Sequence, residues 1–232
     1  MGYDQSTDSY KVVAILCNKF CKTQVRIHTL GTNFWRTIPD FPSQLMGEAK
    51  YYLGKFVSGN INWAIEDQKN YNSWVILSLD LGNESYQEIL QPDYGLDEPL
   101  QNFSLGVSRD NLCVLAHTET FLDIWVMKDY RNKDSWTKLF SLPFAKFPDY
   151  YGYTNLLYIS EEDDQLFLDF YSKIYVYNYK TGTVKIPAIQ DLPSTSFISN
   201  VYVESLISPW PMLALNDYPH VCLDMSFILC WF

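Results

Sequence analysis

The chain has 232 residues and a mass of 27.1 kDa, which suits one large domain or two small ones. Apolar residues make up 47% and charged residues 19%, so the composition excludes a disordered chain. The net charge is −10 and the basic residues form no run, so the chain would repel phosphate backbones and nucleic-acid binding is disfavoured.

The amino-terminal segment is polar, and no apolar stretch reaches the ~18 residues that a membrane span needs. The five cysteines are scattered and do not form a disulfide framework, and free thiols suit a reducing compartment. We therefore expect a protein of the cytoplasm or the nucleus that has no membrane partner.

Runs of β-forming residues recur along the chain at intervals of 49 or 50 residues, with centres at Ile27, Leu77, Val126 and Val176. After each centre, a turn leads to an aromatic or β-branched residue that opens another short run, namely Trp35, Tyr86, Trp136 and Val184. Two further runs precede each of the last three centres. The pattern therefore predicts units of four strands in about 50 residues each.

Antiparallel units of this length are typical of the blades of a kelch-like β-propeller. A single blade has two apolar faces and can cover them only by stacking between neighbours. We predict an all-β fold, a partial propeller of about four to five four-stranded blades. A β-sandwich is the second architecture, because it needs no such period. The strand at residues 10–16 is expected to have no preceding partner, so we expect the chain to be the C-terminal part of a longer protein.

Five motifs follow one another between residues 2 and 209. They are GYDQSTDSYKVV at 2–13, GNINW at 59–63, WVILSLDL with ESYQEI at 74–89, LDIWVMKDY with SWTKL at 122–139, and YVESL at 202–206. Together they resemble the type 1 F-box associated domain of plant F-box proteins, a family that includes the S-locus F-box proteins.

The resemblance implies a non-catalytic protein-interaction domain. In that family an N-terminal F-box docks on the Skp adaptor of an SCF ubiquitin ligase, and the propeller-like domain captures the protein to be ubiquitinated. The F-box is absent from this sequence, so an adaptor would bind only through a missing N-terminal F-box. We expect residues 1–209 to form an N-terminally incomplete F-box associated domain and residues 210–232 to form an atypical C-terminal tail.

Catalytic, cofactor and metal sites are not expected. The three histidines lie far apart without a metal-ligand spacing, and no nucleophile motif occurs. The recurring Asp80, Asp123 and Asp169 keep an alternative open, namely a carbohydrate-active or other propeller enzyme that uses acidic channel residues. We predict instead that these aspartates lie where strands turn and cap backbone N–H groups.

Aromatic residues make up 17% of the chain and divide into two predicted groups. Tryptophans at repeat positions are expected in the structural core, and these are Trp35, Trp63, Trp125 and Trp136. Aromatic residues off the repeat are expected to contact the protein partner, and these are Tyr71, Trp74, Tyr94, Tyr150, Tyr151 and Tyr153.

Overall fold

The computed structural model describes residues 1–17, 23–40, 54–66, 74–95, 100–147, 154–160, 162–170 and 173–187. Within these ranges the chain is all-β, apart from two 3₁₀ turns at Lys133–Ser135 and Phe144–Lys146. None of the helical segments in these ranges has the length and apolar character needed to cross a bilayer. The strands are β1 (Gly2–Asp4), β2 (Ser9–Cys17), β3 (Thr23–Thr29), β4 (Trp35–Ile38), β5 (Lys55–Val57), β6 (Asn60–Glu66), β7 (Trp74–Asp80), β8 (Ser85–Ile89), β9 (Asn102–Ser108), β10 (Asn111–His117), β11 (Phe121–Met127), β12 (Trp136–Pro143), β13 (Asn155–Ser160), β14 (Gln165–Phe170), β15 (Lys173–Asn178) and β16 (Thr183–Lys185).

The strands form four antiparallel sheets, each made of four strands that follow one another in the chain. The first sheet is β1–β4, the second β5–β8, the third β9–β12 and the fourth β13–β16. Four predicted centres, Ile27, Leu77, Val126 and Val176, lie in the third strand of successive sheets. The predicted all-β repeat and its partial propeller arrangement are therefore confirmed.

The first sheet differs from the prediction in one respect. Gly2, Tyr3 and Asp4 of β1 pair with Lys11, Tyr10 and Ser9 of β2. The strand at 10–16 therefore has a preceding partner, and the prediction that it lacks one is wrong. A three-residue strand followed by a polar turn carries too little β-type patterning to be recognised from the sequence.

Tight turns connect neighbouring strands at the positions where the sequence has turn residues. Ser58 and Gly59 link β5 to β6 with φ values of 48° and 78°. Arg109 and Asp110 link β9 to β10 with φ values of 49° and 59°. Two successive positive φ angles match the twist of a two-residue hairpin, and Gly59 adopts this conformation without steric cost.

Apolar side chains form three clusters, each between two successive sheets. The first joins Val25, Ile27 and Ile38 to Ile61, Trp63, Ile65, Leu77, Leu79 and Leu81. The second joins Val57, Ile76 and Ile89 to Leu100, Phe103, Leu105, Leu112, Val114, Ala116 and Met127. The third joins Cys113, Leu115, Leu122, Ile124, Val126, Leu142 and Phe147 to Leu156, Ile159, Leu166, Leu168, Phe170, Tyr175 and Tyr177.

Successive side chains of a strand point to opposite faces of its sheet, so neighbouring residues belong to different clusters. In β7, Leu77 and Leu79 pack toward the first sheet, whereas Ile76 between them packs toward the third. The same holds in β10, where Val114 packs toward the second sheet and Leu115 toward the fourth. Both faces of the middle sheets are therefore buried, as stacked blades require.

The first strands of the later sheets lie side by side and run in the same direction. Ser104 of β9 donates a hydrogen bond to the carbonyl of Thr154 at 2.7 Å, and Gly106 lies against Leu156 of β13. Lys55, which opens β5, bonds to Asn155, which opens β13. We call the end of the second to fourth sheets at which β5, β9 and β13 begin the crossover end.

Polar bonds also join the second and third sheets. The Tyr130 hydroxyl, in the turn after β11, donates to Asn62 Oδ1 at 2.7 Å and contacts Ser78 Oγ at 2.9 Å. Its neighbour Arg131 donates to Asn60 Oδ1 at 2.8 Å. These bonds fix the relative position of two sheets that apolar packing alone would allow to slide.

Candidate functional site

The predicted partner-contact residues fall partly within the described residues. Trp74 and Tyr94 are described, whereas Tyr71, Tyr150, Tyr151 and Tyr153 lie outside the described residues. Trp74 opens β7, and Tyr94 follows β8 in the connection to the third sheet. Because strands alternate in direction within each sheet, both positions belong to the crossover end.

Trp74 and Tyr94 come together with three other aromatic residues between the second and third sheets. Trp74 stacks on Phe103 of β9 with ring centroids 5.9 Å apart and an interplanar angle of 22°. Tyr94 meets Trp125 of β11 edge to face at 5.8 Å and 89°. We call the group formed by Trp74, Tyr94, Phe103, Trp125 and Trp136 the interblade aromatic cluster. Its tryptophans and Tyr94 are half-buried, so each ring is held by packing while one part of it stays accessible.

Polar groups surround this cluster. The Lys138 ammonium lies 5.0 Å above the Trp125 ring and pairs with Asp123 Oδ2 at 2.6 Å. Ser141 donates to the other oxygen of Asp123 at 2.6 Å. Trp136 Nε1 donates to the carbonyl of Leu90 at 2.9 Å. The cluster therefore offers aromatic rings, which are enriched at protein-recognition surfaces, next to an ion pair.

The four predicted core tryptophans occupy different environments. Trp63 is 3% exposed and lies in the cluster between the first two sheets. Trp125 and Trp136 are half-buried members of the interblade aromatic cluster. Trp35 is 39% exposed, so the prediction that it lies in the core is wrong.

The position of Trp35 in the repeat explains its exposure. The equivalent residues Tyr86, Trp136 and Val184 each pack against the cluster shared with the preceding sheet. Trp35 occupies the same position in the first sheet, which follows no other described sheet in the chain; it is 39% exposed and has His28 as a ring neighbour at 5.1 Å.

The recurring aspartates do not share one environment. Asp80 accepts bonds from the backbone N–H groups of Gly82 and Asn83 at 2.9 and 3.0 Å, as a turn cap does. Asp123 and Asp169 lie inside β11 and β14 and are 6% and 2% exposed. The prediction that all three lie at turns is therefore wrong for these two. Both oxygens of Asp123 accept hydrogen bonds, one from Lys138 and one from Ser141.

Metal-ligating side chains are dispersed in the part of the chain that the structure describes, where no group of three or more His, Cys, Asp or Glu could hold an ion. His117 is fully buried, and this burial lowers its pKa to about 3. Burial also raises the pKa of the Cys113 thiol to about 12. These values favour the neutral forms of both side chains, and a neutral thiol is a poor nucleophile.

The sequence did not point to Phe103 or Lys138 as members of the site or its surroundings, and Asp123 was considered only as an acidic channel residue or a turn cap. A signal for Lys138 exists, because it lies two residues after Trp136 and thus on the same face of a strand. Phe103 joins the site because the third sheet packs against the second, and local sequence patterning does not show which sheets pack together.

The sequence pattern of the F-box associated beta-propeller domain matches residues 1–209. An F-box/kelch-repeat protein of Arabidopsis thaliana is 30% identical over 210 residues, which cover 90% of this chain and 55% of that protein. The F-box protein CPR1 of Arabidopsis thaliana is 25% identical, with 89% of this chain and 55% of that protein covered.

The chain thus spans about half the length of these two curated relatives. A solved prolyl endopeptidase structure overlaps 82% of the chain and 28% of its own, at a TM-score of 0.43 and 11% identity, which is too low for a functional comparison. The match over residues 1–209, together with the four repeated sheets, shows that the chain belongs to the family of F-box associated β-propeller domains.

Proposed function

We propose that this chain is the substrate-recognition part of an F-box protein in an SCF-type ubiquitin ligase. Its relatives are F-box proteins that are longer than this chain, so the F-box of the whole protein would supply the contact with a Skp-type adaptor. The proposed role requires no chemistry from the chain itself. Its place of action would be the cytoplasm or the nucleus.

Proximity is the proposed mechanism. A protein held by the propeller is confined near the ubiquitin-loaded enzyme, which raises its effective concentration there to about the millimolar range for a short connection. Specificity then depends only on what the domain captures. A binding surface is therefore sufficient, and an active site is not needed.

The interblade aromatic cluster is the single observation that best supports a capture surface. Its half-buried rings are already packed, so little side-chain entropy is lost when a partner covers them. Trp74 and Tyr94 lie at the crossover end, and the described strands that flank Tyr71, Tyr150, Tyr151 and Tyr153 in the chain begin or end there as well. We include these six residues in the proposed contact surface.

Expression of the whole protein with its F-box tests this function in two steps. The adaptor should co-purify with the whole protein and should be lost when the F-box is deleted. A substrate that is ubiquitinated only in the presence of the whole F-box protein should lose that modification when Trp74→Ala is introduced. The substitution removes the ring that stacks on Phe103.

Trp35→Ala is the control, since Trp35 is an exposed tryptophan on the first sheet, outside the cluster. It should leave both the adaptor and the ubiquitination unchanged. A whole protein that binds no Skp-type adaptor would refute the ligase assignment. Equal loss of ubiquitination in both variants would refute the assignment of the cluster.

A further inference from the structure

The turn between β1 and β2 carries hydroxyl groups that hold a buried charge. Ser6 and Thr7 lie in this turn and are exposed, whereas Asp4 at the end of β1 is 3% exposed. The Ser6 hydroxyl donates to Asp4 Oδ1 at 2.7 Å, and the Thr7 hydroxyl donates to Asp4 Oδ2 at 2.6 Å. The same Oδ2 atom lies 2.8 Å from the Lys11 ammonium. Exposed hydroxyls and a buried ion pair therefore share one carboxylate.

The effect of this carboxylate reaches the second sheet through Lys11. The Lys11 ammonium also donates to the carbonyl of Leu81 at 2.7 Å and lies 3.4 Å from the Glu84 carboxylate, both in or next to the turn after β7. Glu84 accepts a further hydrogen bond from Arg36 of β4 at 3.0 Å. The turn between β1 and β2 thus belongs to a charged network that joins the first sheet to the second.

The sequence around Thr7 suits one class of modifying enzyme. Asp8 follows Thr7 directly, Asp4 precedes it by three positions, and no lysine or arginine lies within three residues of it. Proline-directed protein kinases require a proline after the modified residue, and basophilic kinases require nearby lysine or arginine. Acidic neighbours on both sides of an exposed threonine are instead what acidophilic serine/threonine kinases recognise.

We propose that Thr7 is a phosphorylation site and that its modification loosens the first sheet from the second. Transfer of the γ-phosphoryl group of ATP to Thr7 Oγ1 forms an O–P bond, breaks the bond to ADP and releases the hydroxyl proton. Asp4 loses a hydrogen-bond donor and gains a neighbour with a charge of about −1.5 to −2. Water screens this repulsion little at a buried carboxylate, so the pair of Asp4 with Lys11 weakens.

The turn between β15 and β16 provides a matched comparison in the same molecule. Thr181 is exposed, donates to Asn178 Oδ1 at 2.9 Å and contacts the Thr183 hydroxyl at 2.8 Å. Thr7 likewise contacts the Ser9 hydroxyl at 2.8 Å. The two turns therefore share one layout, but a negative charge on Thr181 would face a neutral amide and not an ionised carboxylate.

Treatment of the folded full chain with ATP and a purified acidophilic serine/threonine kinase tests the site. Peptide mass spectrometry should place phosphate on Thr7 and not on Thr181. Amide hydrogen exchange should then become several-fold faster in β2 and β3 and stay unchanged in β9 and β10, because the weakened bonds join the first two sheets. Thr7→Val should exchange at the same rates before and after the treatment, which assigns the effect to Thr7.

Two glutamate variants test the effect of charge without a kinase. Thr7→Glu should speed exchange in the first sheet more than Thr7→Val does, since both remove the hydroxyl and only glutamate adds a charge beside Asp4. Thr181→Glu is the matched control and should leave exchange in the first sheet unchanged.

A chain that takes up no phosphate on Thr7 would overturn the proposal. So would a phosphorylated chain in which exchange in the first sheet is unchanged or slower, since slower exchange would mean that Lys11 pairs with the phosphate. Equal effects of Thr7→Glu and Thr181→Glu on the first sheet would also contradict it. These measurements use no adaptor and no ubiquitin, so their outcome is independent of the ligase assignment.

Discussion

At the residue scale, the Asp4–Lys11 ion pair shows how burial determines the contribution of an ion pair to stability. The two groups are 2.8 Å apart and their side chains are 2% and 5% exposed. Burial alone would raise the pKa of Asp4, but hydrogen bonds from Lys11, Thr7 and Ser6 outweigh it and hold the pKa below its usual value. Lys11 also donates to the carbonyl of Leu81 at 2.7 Å, which ties the first sheet to the second.

Asp4→Asn should therefore destabilise the chain by about 3 kcal/mol, because it leaves the Lys11 ammonium buried without its main counter-charge. Since the folded pKa of Asp4 is lowered, its contribution is complete above the ordinary carboxyl pKa of about 4 and is lost as the pH falls below it. Urea unfolding between pH 7 and pH 3 measures both effects, and the variant should show a flatter decline toward acid.

Lys180→Met is the matched control for this pair. Lys180 and Asp164 are also 2.8 Å apart, but the Lys180 side chain is 69% exposed. This variant should show no resolvable change, because solvent screens an exposed pair. Equal losses in Asp4→Asn and Lys180→Met would contradict the role assigned to burial.

Two tryptophans at repeat positions should also differ in how much they contribute to stability, because one is buried and the other is exposed. Trp63→Ala should lower the free energy of unfolding by about 3–5 kcal/mol, since it empties part of the cluster between the first two sheets. Trp35→Ala should cost less than about 1 kcal/mol because that ring is largely at the surface. Thermal and urea unfolding of both variants measure the difference, and similar losses would show that the two rings are equally buried.

The burial of these residues could be predicted only in part from the sequence. Trp63 lies on a strand with apolar neighbours on both sides of its sheet, so local patterning was enough. Trp35 has the same type of pattern, yet its exposure depends on whether another sheet stands beside it. The Lys11–Leu81 bond joins positions 70 residues apart, and local patterning does not indicate such a contact.

At the element scale, β9 and β13 approach so closely that a glycine is needed between them. A Cβ atom on Gly106 would lie 2.9 Å from Leu156 Cβ and 3.1 Å from Leu156 Cδ2. Gly106→Ala should destabilise the chain by about 1–3 kcal/mol through this overpacking. Adding Leu156→Ala removes the contact with Cδ2 but keeps the Cβ atom, so it should relieve part of the cost of Gly106→Ala, and a double-mutant cycle measures that coupling.

The matched control is Gly31→Ala, because a Cβ atom at Gly31 would meet nothing within 4 Å. The φ angle of Gly31 is +89°, so its substitution tests backbone strain without a steric contact. Coupling to Leu156→Ala is expected for Gly106→Ala and not for Gly31→Ala. Equal coupling, or none in either case, would contradict the close approach of the two strands.

Strands were the most predictable elements, because β-branched and aromatic runs alternate with turn residues at a constant interval. The exceptions have physical causes. β1 has three residues and too little pattern to recognise. Asp123 and Asp169 resemble turn residues by type, but β11 accommodates Asp123 through Lys138 and Ser141 on the adjacent strand. Such cross-strand compensation depends on register, which local patterning does not specify.

At the scale of the whole molecule, the first and fourth sheets carry large apolar side chains that are exposed. On the first sheet Tyr10, Leu16 and Trp35 are 43%, 46% and 39% exposed. On the fourth sheet Tyr158 is 54% exposed and lies beside Phe167. Apolar faces of this kind promote association between molecules.

The full chain should therefore self-associate reversibly, with an average mass in sedimentation equilibrium that rises with concentration. Trp35→Lys combined with Tyr158→Lys should reduce this association, because each places a charge on one outward face. A constant monomer mass for the unaltered chain at all concentrations would show that these faces are covered.

The period of about 50 residues was enough to predict the repeated sheets, because stacking between equivalent units is the usual way to bury two apolar faces. The composition of the interblade aromatic cluster was not predictable to the same extent. It combines residues from β7, β9, β11, β12 and the connection after β8, whose meeting depends on how the second and third sheets face each other.

Methyl–methyl nuclear Overhauser measurements on the full chain test the stacking of the sheets most directly. The account predicts contacts from Ile61 and Ile65 to Val25 and Ile27, and separate contacts from Ile76 to residues of the third sheet such as Val114. Contacts from Val25 or Ile27 of the first sheet to methyl groups of the third sheet would contradict it, because two broad layers and not successive blades would bring those groups together.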